Sequence, residues 1–310
     1  MNSTQQWQNV TWFEVDEHQD GQRIDNFLFS RLKGVPKSRI YRLIREGQVR
    51  VNKKRIKAET KLAIGDQIRV APIRYEQKDE SAAPVSDKVA QGLLARVIYE
   101  DEGLMVVNKP SGIAVHGGSG VAYGLIEGLR AATGKKYLEL IHRIDRDTSG
   151  LVMISKKRST LKTLQDLLHE HKIQKTYAAI VKGQVSLDKQ LIDAPLHRYE
   201  LANGERRVRV SKEGKASKTQ WNVAERFMHA SLVYASPLSG RTHQIRVHGL
   251  SIGHPLIGDD KYGHSTAYAG PEARRLCLHA MRLQIPGYPT IEAPMPEDMQ
   301  QVLNELRKQK

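Results

Sequence analysis

The sequence predicts an α+β protein, with a mixed, mostly antiparallel sheet in its larger part and a small basic module of two helices plus short strands ahead of it. Three observations lead there. Residues 23–61 combine helical apolar spacing with thirteen Lys or Arg against three acids. A polar stretch with little apolar periodicity follows, over residues 75–92. Beyond it, short strand-like segments are interspersed with helical ones, and no internal repeat is found.

The expected division is a loose start at 1–19, a basic module at 20–80, a linker at 81–93 and the large domain at 94–310. One strand is expected over 10–15. Ile24, Phe27 and Leu28 stand at i, i+3 and i+4, a helix that Gly34 would end. Pro36, Lys37 and Ser38 open a second helix, with Ser38 as its cap, Ile40, Leu43 and Ile44 as its apolar face and Gly47 as its stop. Residues 49–52 alternate into a turn, and a second turn at 62–66 precedes a strand over 67–71. Further strands are expected over 95–99, 104–108, 151–155, 175–181, 218–224, 230–235 and 243–247. A helix is expected over 159–169, and a last one begins near Pro296.

Composition narrows the function class. The net charge is +15, and two thirds of it lies in residues 23–61. Such a surface attracts polyanions, nucleic acid above all; a membrane surface is disfavoured because no long apolar helix face accompanies the charge. No run approaches eighteen apolar residues, and the start lacks a basic-then-apolar secretory pattern. Cys277 is the single cysteine, which excludes an intrachain disulfide and a cysteine zinc site. A cytoplasmic monomer is the expectation.

Four segments are candidates for chemistry. The first is the charged turn His142-Arg143-Ile144-Asp145-Arg146-Asp147 between two apolar runs. Asp145 there is either a reacting carboxylate or a turn residue paired with Arg143 or Arg146. Asp147, two residues on, would suit a glycosidase pair if the backbone were extended. The second is residues 237–248, read as a strand from Gly240 that places Thr242, Gln244 and Arg246 on one face, toward a polar ligand or as an exposed edge. The third, residues 108–118, is a tight loop without the Lys-Ser/Thr of a nucleotide-binding loop. The fourth, residues 253–263, is turn-rich; His248 and His254 lie close in sequence but lack convergent acids, so no metal site is expected.

Together these segments resemble the pseudouridine synthases of the ribosomal large-subunit type, from Gly21 to the end of the chain. His142-Arg143-Ile144-Asp145 with Thr148-Ser149-Gly150 resembles the family's His-Arg-Leu-Asp…Thr-Ser-Gly motif, with Ile144 in place of Leu. Lys175-Thr176-Tyr177 resembles its Lys-x-Tyr strand, and Arg241-Thr242-His243-Gln244-Ile245-Arg246 its second arginine motif. Residues 21–80 are similar to an RNA-binding module shared with a ribosomal protein of the small subunit. The resemblance implies isomerisation of specific uridines in large-subunit (23S) ribosomal RNA with a flipped-out target base. It implies Asp145 as the catalytic carboxylate, Arg241 as the partner that holds it ionised, and Tyr177 as a catalytic residue against the uracil that helps move a proton at its ring. Arg143 would hold the nucleotide out of the stack and Ile245 would support the base. His142, Lys175, Thr242 and Gln244 complete the expected substrate site.

The expected RNA face of the small module is Lys37, Arg39, Arg42 and Arg45, all exposed, with Arg50, Lys53, Lys54 and Arg55 on the strand-turn. The same residues would also fit a solvated surface. No redox or nucleotide cofactor and no metal is expected. Two other classes remain open at this point: a nucleic-acid glycosidase using Asp145 with Asp147, and a ribosome-assembly binder without turnover.

Overall fold

Alternating burial makes strand β1 (Thr11–Glu14) the edge of a four-stranded sheet. Helices α1 (Ile24–Arg31) and α2 (Lys37–Arg45) follow, and their i, i+3, i+4 residues Ile24, Phe27, Leu28, Ile40, Leu43 and Ile44 are the buried ones. Strands β2 (Val49–Val51), β3 (Lys54–Arg55) and β4 (Gln67–Val70) complete the sheet in the order β1-β4-β2-β3. Asn52 and Lys53 both have positive φ, 49° and 68°, the pairing that a two-residue hairpin turn requires. Asp25 is buried at the start of α1. It accepts from Arg23 (2.7 Å), the Asn26 amide (2.8 Å) and the Tyr41 hydroxyl (3.3 Å), and the Arg23 bond holds its carboxyl below the usual range.

A computed structural model describes residues 7, 9–17, 19–32, 35–73, 85–117, 123–135, 137–263 and 266–309. It divides into two units, 1–81 and 82–310. Two expectations for the first unit change. Pro36, not Ser38, stands at the N-cap of α2, and no side chain caps it. Gly34 lies outside the described residues. The expected linker over 81–93 is also corrected. Its end is helix α3 (Asp87–Leu94), which buries Ala90 and Leu93, so only the apolar pair three apart signalled it.

The second unit is built on one ten-stranded sheet. Its elements after α3 are β5 (Val97–Glu100), β6 (Leu104–Lys109), α4 (Leu125–Thr133), β7 (Glu139–Leu140), β8 (Ser149–Ser155), α5 (Arg158–His169) and β9 (Gln174–Lys182). There follow β10 (Lys189–Asp193), the hairpin β11 (Leu196–Glu200) and β12 (Arg206–Val210), then β13 (Lys218–Arg226) and β14 (Ala230–Pro237). Helix α6 (Gln244–Ser251), strands β15 (Leu278–Gln284) and β16 (Ile291–Glu292) and helix α7 (Glu297–Lys308) complete it. The strand order is β10-β13-β14-β9-β15-β8-β6-β5, with β16 on β15 and β7 on β8; β11 and β12 form a separate two-stranded sheet. β15 and β8 run parallel, and every other named pair of strands is antiparallel.

Both faces of this sheet are covered. One packs Met105, Val107, Val152, Ile154, Ala179 and Val233 against α3, α4 and α6. The other packs Val106, Leu151 and Met153 against α5, and Ile180 and Leu232 against α7. Burial on both sides explains why β6 and β8 read as unbroken apolar runs. No helix among the described residues is long and apolar enough to cross a membrane.

The expected strand over 243–247 is instead the start of α6. His243 takes a left-handed conformation, φ 53°, and turns the chain into the helix at Gln244. All of Gln244 to Gly249 is buried, so the segment has no polar face and its helical period is not visible in the sequence.

The joint of β8 with β15 lies just beyond Asp145. His279 sits opposite Ser149 and Ala280 opposite Gly150. His279 Nδ1 meets the Ser149 hydroxyl at 2.9 Å. Gly150 has φ 110°, and a Cβ there would stand 2.3 Å from the Ala280 carbonyl oxygen. We predict that Gly150→Ala costs about 2–4 kcal/mol in urea unfolding, from backbone strain plus overpacking. Burial pushes His279 down to about 4, so between pH 6.5 and 4 the unfolded chain binds a proton that the folded one does not. This group alone therefore removes up to about 1.4 kcal/mol of stability per pH unit as pH falls through that window. In His279→Asn the acid slope of the urea midpoint should be shallower; an unchanged slope contradicts the assignment.

Candidate active site

Asp145 stands in the loop between β7 and β8, four residues before Ser149 begins the strand. That loop is clamped from beneath by the end of β6. Lys109 is wholly buried, and its ammonium donates to the carbonyls of Pro110 (2.9 Å), Ile113 (2.7 Å) and Arg146 (2.9 Å). Burial pushes this lysine down to about 7, against the opposing pull of the Asp147 and Asp145 charges. The Ser111 hydroxyl donates to the Asp147 carbonyl at 2.6 Å, and the Gly112 amide to the Arg146 carbonyl at 2.9 Å. The strand-ending Lys-Pro is therefore a structural clamp, a role that its loop composition did not reveal.

Asp145 lines a pocket of about 110 Å³ with Tyr177 of β9, Leu278 of β15 and Ile245 and Arg246 of α6. Among the described residues it is the lone carboxylate in that lining. Tyr177 sits opposite Ala235 on one side and Ala280 on the other, small neighbours that leave room for its ring. Burial first, then the Asp145 charge, raises the Tyr177 phenol well above its ordinary value, so it is a neutral wall and not a base. Ile245 is buried in the core beneath the pocket.

The arginine beside Asp145 is Arg246, not the expected Arg241. Arg246 Nη1 lies 3.7 Å from Asp145 Oδ2. Its Nε and Nη2 make a two-pronged pair with Asp259, both at 2.7 Å, while both side chains are almost wholly buried. Burial alone would lower Arg246, but the Asp259 hydrogen bonds and the charges of Asp259 and Asp145 outweigh it and hold the guanidinium charged. Its plane also stands over the Tyr262 ring, 5.2 Å from the centroid. The Tyr262 hydroxyl accepts the Val208 amide (3.0 Å) and shares a second hydrogen bond with His243 Nδ1 (2.7 Å). Burial lowers His243 and raises Tyr262 to about 12, so both are neutral at pH 7. The Gly258–Gly263 loop thus carries the support for the arginine. Its signal in the sequence was an acid pair and an aromatic packed between glycines.

Arg241 is exposed and donates to the Ala216 carbonyl at 3.2 Å. A helix starting at Gln244 carries Arg246 inward, whereas Arg241 stays in the loop ahead of it. Gln244 is corrected as well. It donates to the Lys218 carbonyl and the Thr219 hydroxyl (both 2.9 Å) and accepts from the Ser239 hydroxyl (2.7 Å) and the Arg241 amide (3.0 Å). All four of its bonding positions are filled, so it holds the 239–241 loop and has none left for a ligand. His142 lines the adjoining groove and not this pocket; its Nε2 accepts the Met153 amide at 3.1 Å, and burial pushes it down to about 3. Arg143, Lys175 and Thr242 line the pocket, as do Arg241 and Gln244 themselves, and burial lowers Lys175.

Asp147 belongs elsewhere. It pairs with Arg146 at 3.0 Å and lines a separate cleft of about 1170 Å³. The two carboxylates do not share a pocket, which removes the geometric basis for a glycosidase pair.

In the first unit, Lys37, Arg42, Arg45, Arg50, Lys53, Lys54 and Arg55 are exposed, while Arg39 is half-buried rather than exposed. Arg42 is tied to Glu46 at 2.5 Å, and Arg55 donates to the Glu46 carbonyl at 3.1 Å. Lys54, Arg55 and Lys57 line a shallow basic concavity of about 540 Å³.

Comparison with known proteins places this geometry. Residues 103–251 match the model of the RNA pseudouridylate synthase family, and residues 22–68 match the S4 domain. The chain is 51% identical to ribosomal large subunit pseudouridine synthase C of Escherichia coli (strain K12), over 93% of each chain. It is 48% identical to the protein of the same name from Pasteurella multocida (strain Pm70), over 98% of this chain and 96% of that one. Among solved structures, human RNA pseudouridylate synthase domain containing 4 superposes with a TM-score of 0.60 at 25% identity, covering 71% of this chain and 96% of that one. The matched catalytic region contains Asp145, Tyr177 and Arg246, and on this evidence the chain belongs to the RNA pseudouridylate synthase family.

Proposed function

We propose that this chain isomerises specific uridines of large-subunit ribosomal RNA to pseudouridine, with Asp145 as the reacting carboxylate. One observation carries the assignment of the residue. Among the described residues Asp145 is the lone carboxylate in a small pocket, beside an arginine that is itself fixed by a second acid outside the pocket. The substrate class is supported by the names of the two relatives and by the matched S4 domain with its exposed cations.

The reaction breaks the N1–C1′ bond, turns the uracil, joins C5 to C1′ and releases the C5 proton. No atom is added and no electron is lost, so the proposed reaction uses no redox or nucleotide cofactor. A carboxylate serves it either by attacking C1′ or by taking the C2′ proton, and both routes need an ionised group held in place. Arg246 supplies the opposing charge in a fixed orientation. Tyr177, Ile245 and Leu278 offer walls for an unstacked base, which lowers the cost of flipping. Arg143, exposed at the mouth, fills the place that the nucleotide leaves. The proposed setting is the cytoplasm, with the protein acting as a monomer.

With ribosomal RNA labelled at uridine C5 with tritium, the protein should release label to water and no free uracil. Asp145→Asn should lower that release by roughly 10³-fold or more. Asp147→Asn should stay within about fivefold, since loss of a partly exposed ion pair costs little. Equal loss in both variants contradicts the single-carboxylate assignment, and free uracil would mark a glycosidase.

A further inference from the structure

Two openings flank the Asp145 loop, and their charges differ. The cleft of about 1170 Å³ on the Asp147 side carries four carboxylates, Asp147, Asp260, Glu297 and Asp298, against four cations. One of those cations is Lys109, spent on three carbonyls, and another is Arg275, paired with Asp298 at 2.6 Å. On the other side a groove of about 780 Å³ shares Arg143, Lys175 and Arg241 with the pocket, and no carboxylate lines it among the described residues. A phosphate strand entering the first opening meets carboxylates as well as cations; in the second it meets cations and, among the described residues, no carboxylate.

We propose that this groove binds the nucleotides next to the flipped uridine on the same RNA strand, with Arg241 as a phosphate contact. The inference rests on the reading of Asp145 as the site of uridine isomerisation. The volume falls in the range of about 300–1,000 Å³ typical of ligand sites. The lining matches the chemistry of a nucleotide. Arg143 and Arg241 are exposed cations on the wall common to groove and pocket, where the backbone must pass as the base turns in. His169 and His171, at the end of α5, are exposed imidazoles able to stack on bases. Leu238 is 49% exposed in the loop after β14 and adds an apolar surface. This gives Arg241 a role apart from the ion pair: it holds the strand, and Arg246, 3.7 Å from Asp145, serves the carboxylate.

A matched pair of added charges tests the choice of opening. Leu238→Glu puts a carboxylate in the groove, and Gln301→Glu puts one in the opposite cleft. Binding of a large-subunit ribosomal RNA transcript is measured by filter retention at several salt concentrations, with thermal midpoints recorded for each protein. Leu238→Glu should weaken binding roughly tenfold at low salt, and the effect should shrink as salt rises. Gln301→Glu should change it less than about twofold. Arg241→Gln, which adds no charge to the groove, should reduce the slope of log K against log salt by about 0.7. Equal weakening by the two glutamates, a larger effect of Gln301→Glu, or an unchanged slope in Arg241→Gln overturns the proposal. Failure of the parent reading shows separately: the unaltered protein would bind the transcript but release no tritium, and the binding comparison would still decide the groove.

Discussion

The site is organised around one buried guanidinium. Arg246 is 1% exposed, and its charge is tolerable there only because Asp259, equally buried, takes two of its N–H groups at 2.7 Å. Removing two such ions from water costs several kcal/mol each, and their attraction repays this only with good geometry and further hydrogen bonds. Those bonds are present: the Asp259 carboxylate also accepts the amides of Lys261 and Tyr262, both at 3.0 Å. The pair is weak evidence for stability, since apolar residues would pack as well. Its worth lies in fixing a positive charge that Asp145 alone, on a loop, does not have to orient. At 3.7 Å the Asp145–Arg246 contact is longer than a direct hydrogen bond, so the carboxylate keeps its lone pairs for a substrate.

The rest of the second unit serves to deliver these groups to one point. Asp145 comes from a loop, Tyr177 from a central strand and Arg246 from a helix. Each loop concerned is held by a polar side chain that makes several hydrogen bonds. Lys109 ties the 110–113 loop to the Asp145 turn through three carbonyls, and Gln244 ties 239–241 to β13 through four bonds. Tyr262 joins the β11–β12 hairpin to the same region, since it accepts from Val208 and lies beneath Arg246. Burial of such groups is costly unless all their hydrogen bonds are made, which makes each of them a strict condition on local shape.

How much of this was readable in the sequence depended on period. Helices α1 and α2 show a clean apolar stripe because one face of each meets solvent, and residues 24–28 and 40–44 announced them. Strands β5, β6, β8, β9, β13 and β14 were legible as short, mainly apolar runs, whereas β10, the central β15 and the short β7 and β16 were not expected. Helix α6 was not, because it is buried all round and its polar residues are spent internally; Gln244 and Arg246 then looked like one face of a strand. The choice of Arg241 came from the family resemblance, while the strand reading did place Arg246 on the face toward a polar ligand. Asp145 was identified by its motif, but its partner depended on a left-handed residue at His243 that no composition rule forecasts. Lys109 and Asp259 were missed for a related reason. Their partners are backbone carbonyls or residues distant in the chain, and local sequence does not encode them.

The central claim is that the buried pair exists to place charge beside Asp145 and is dispensable for folding. A double replacement separates the two. Arg246→Met and Asp259→Leu, each alone, should destabilise by about 3–5 kcal/mol because each leaves a buried charge unpaired. Combined, they should return the urea midpoint close to that of the parent, while tritium release in single-turnover reactions stays lower by roughly 10²-fold or more. A double variant that folds as well as the parent and also isomerises uridine at the parent's rate would contradict the account.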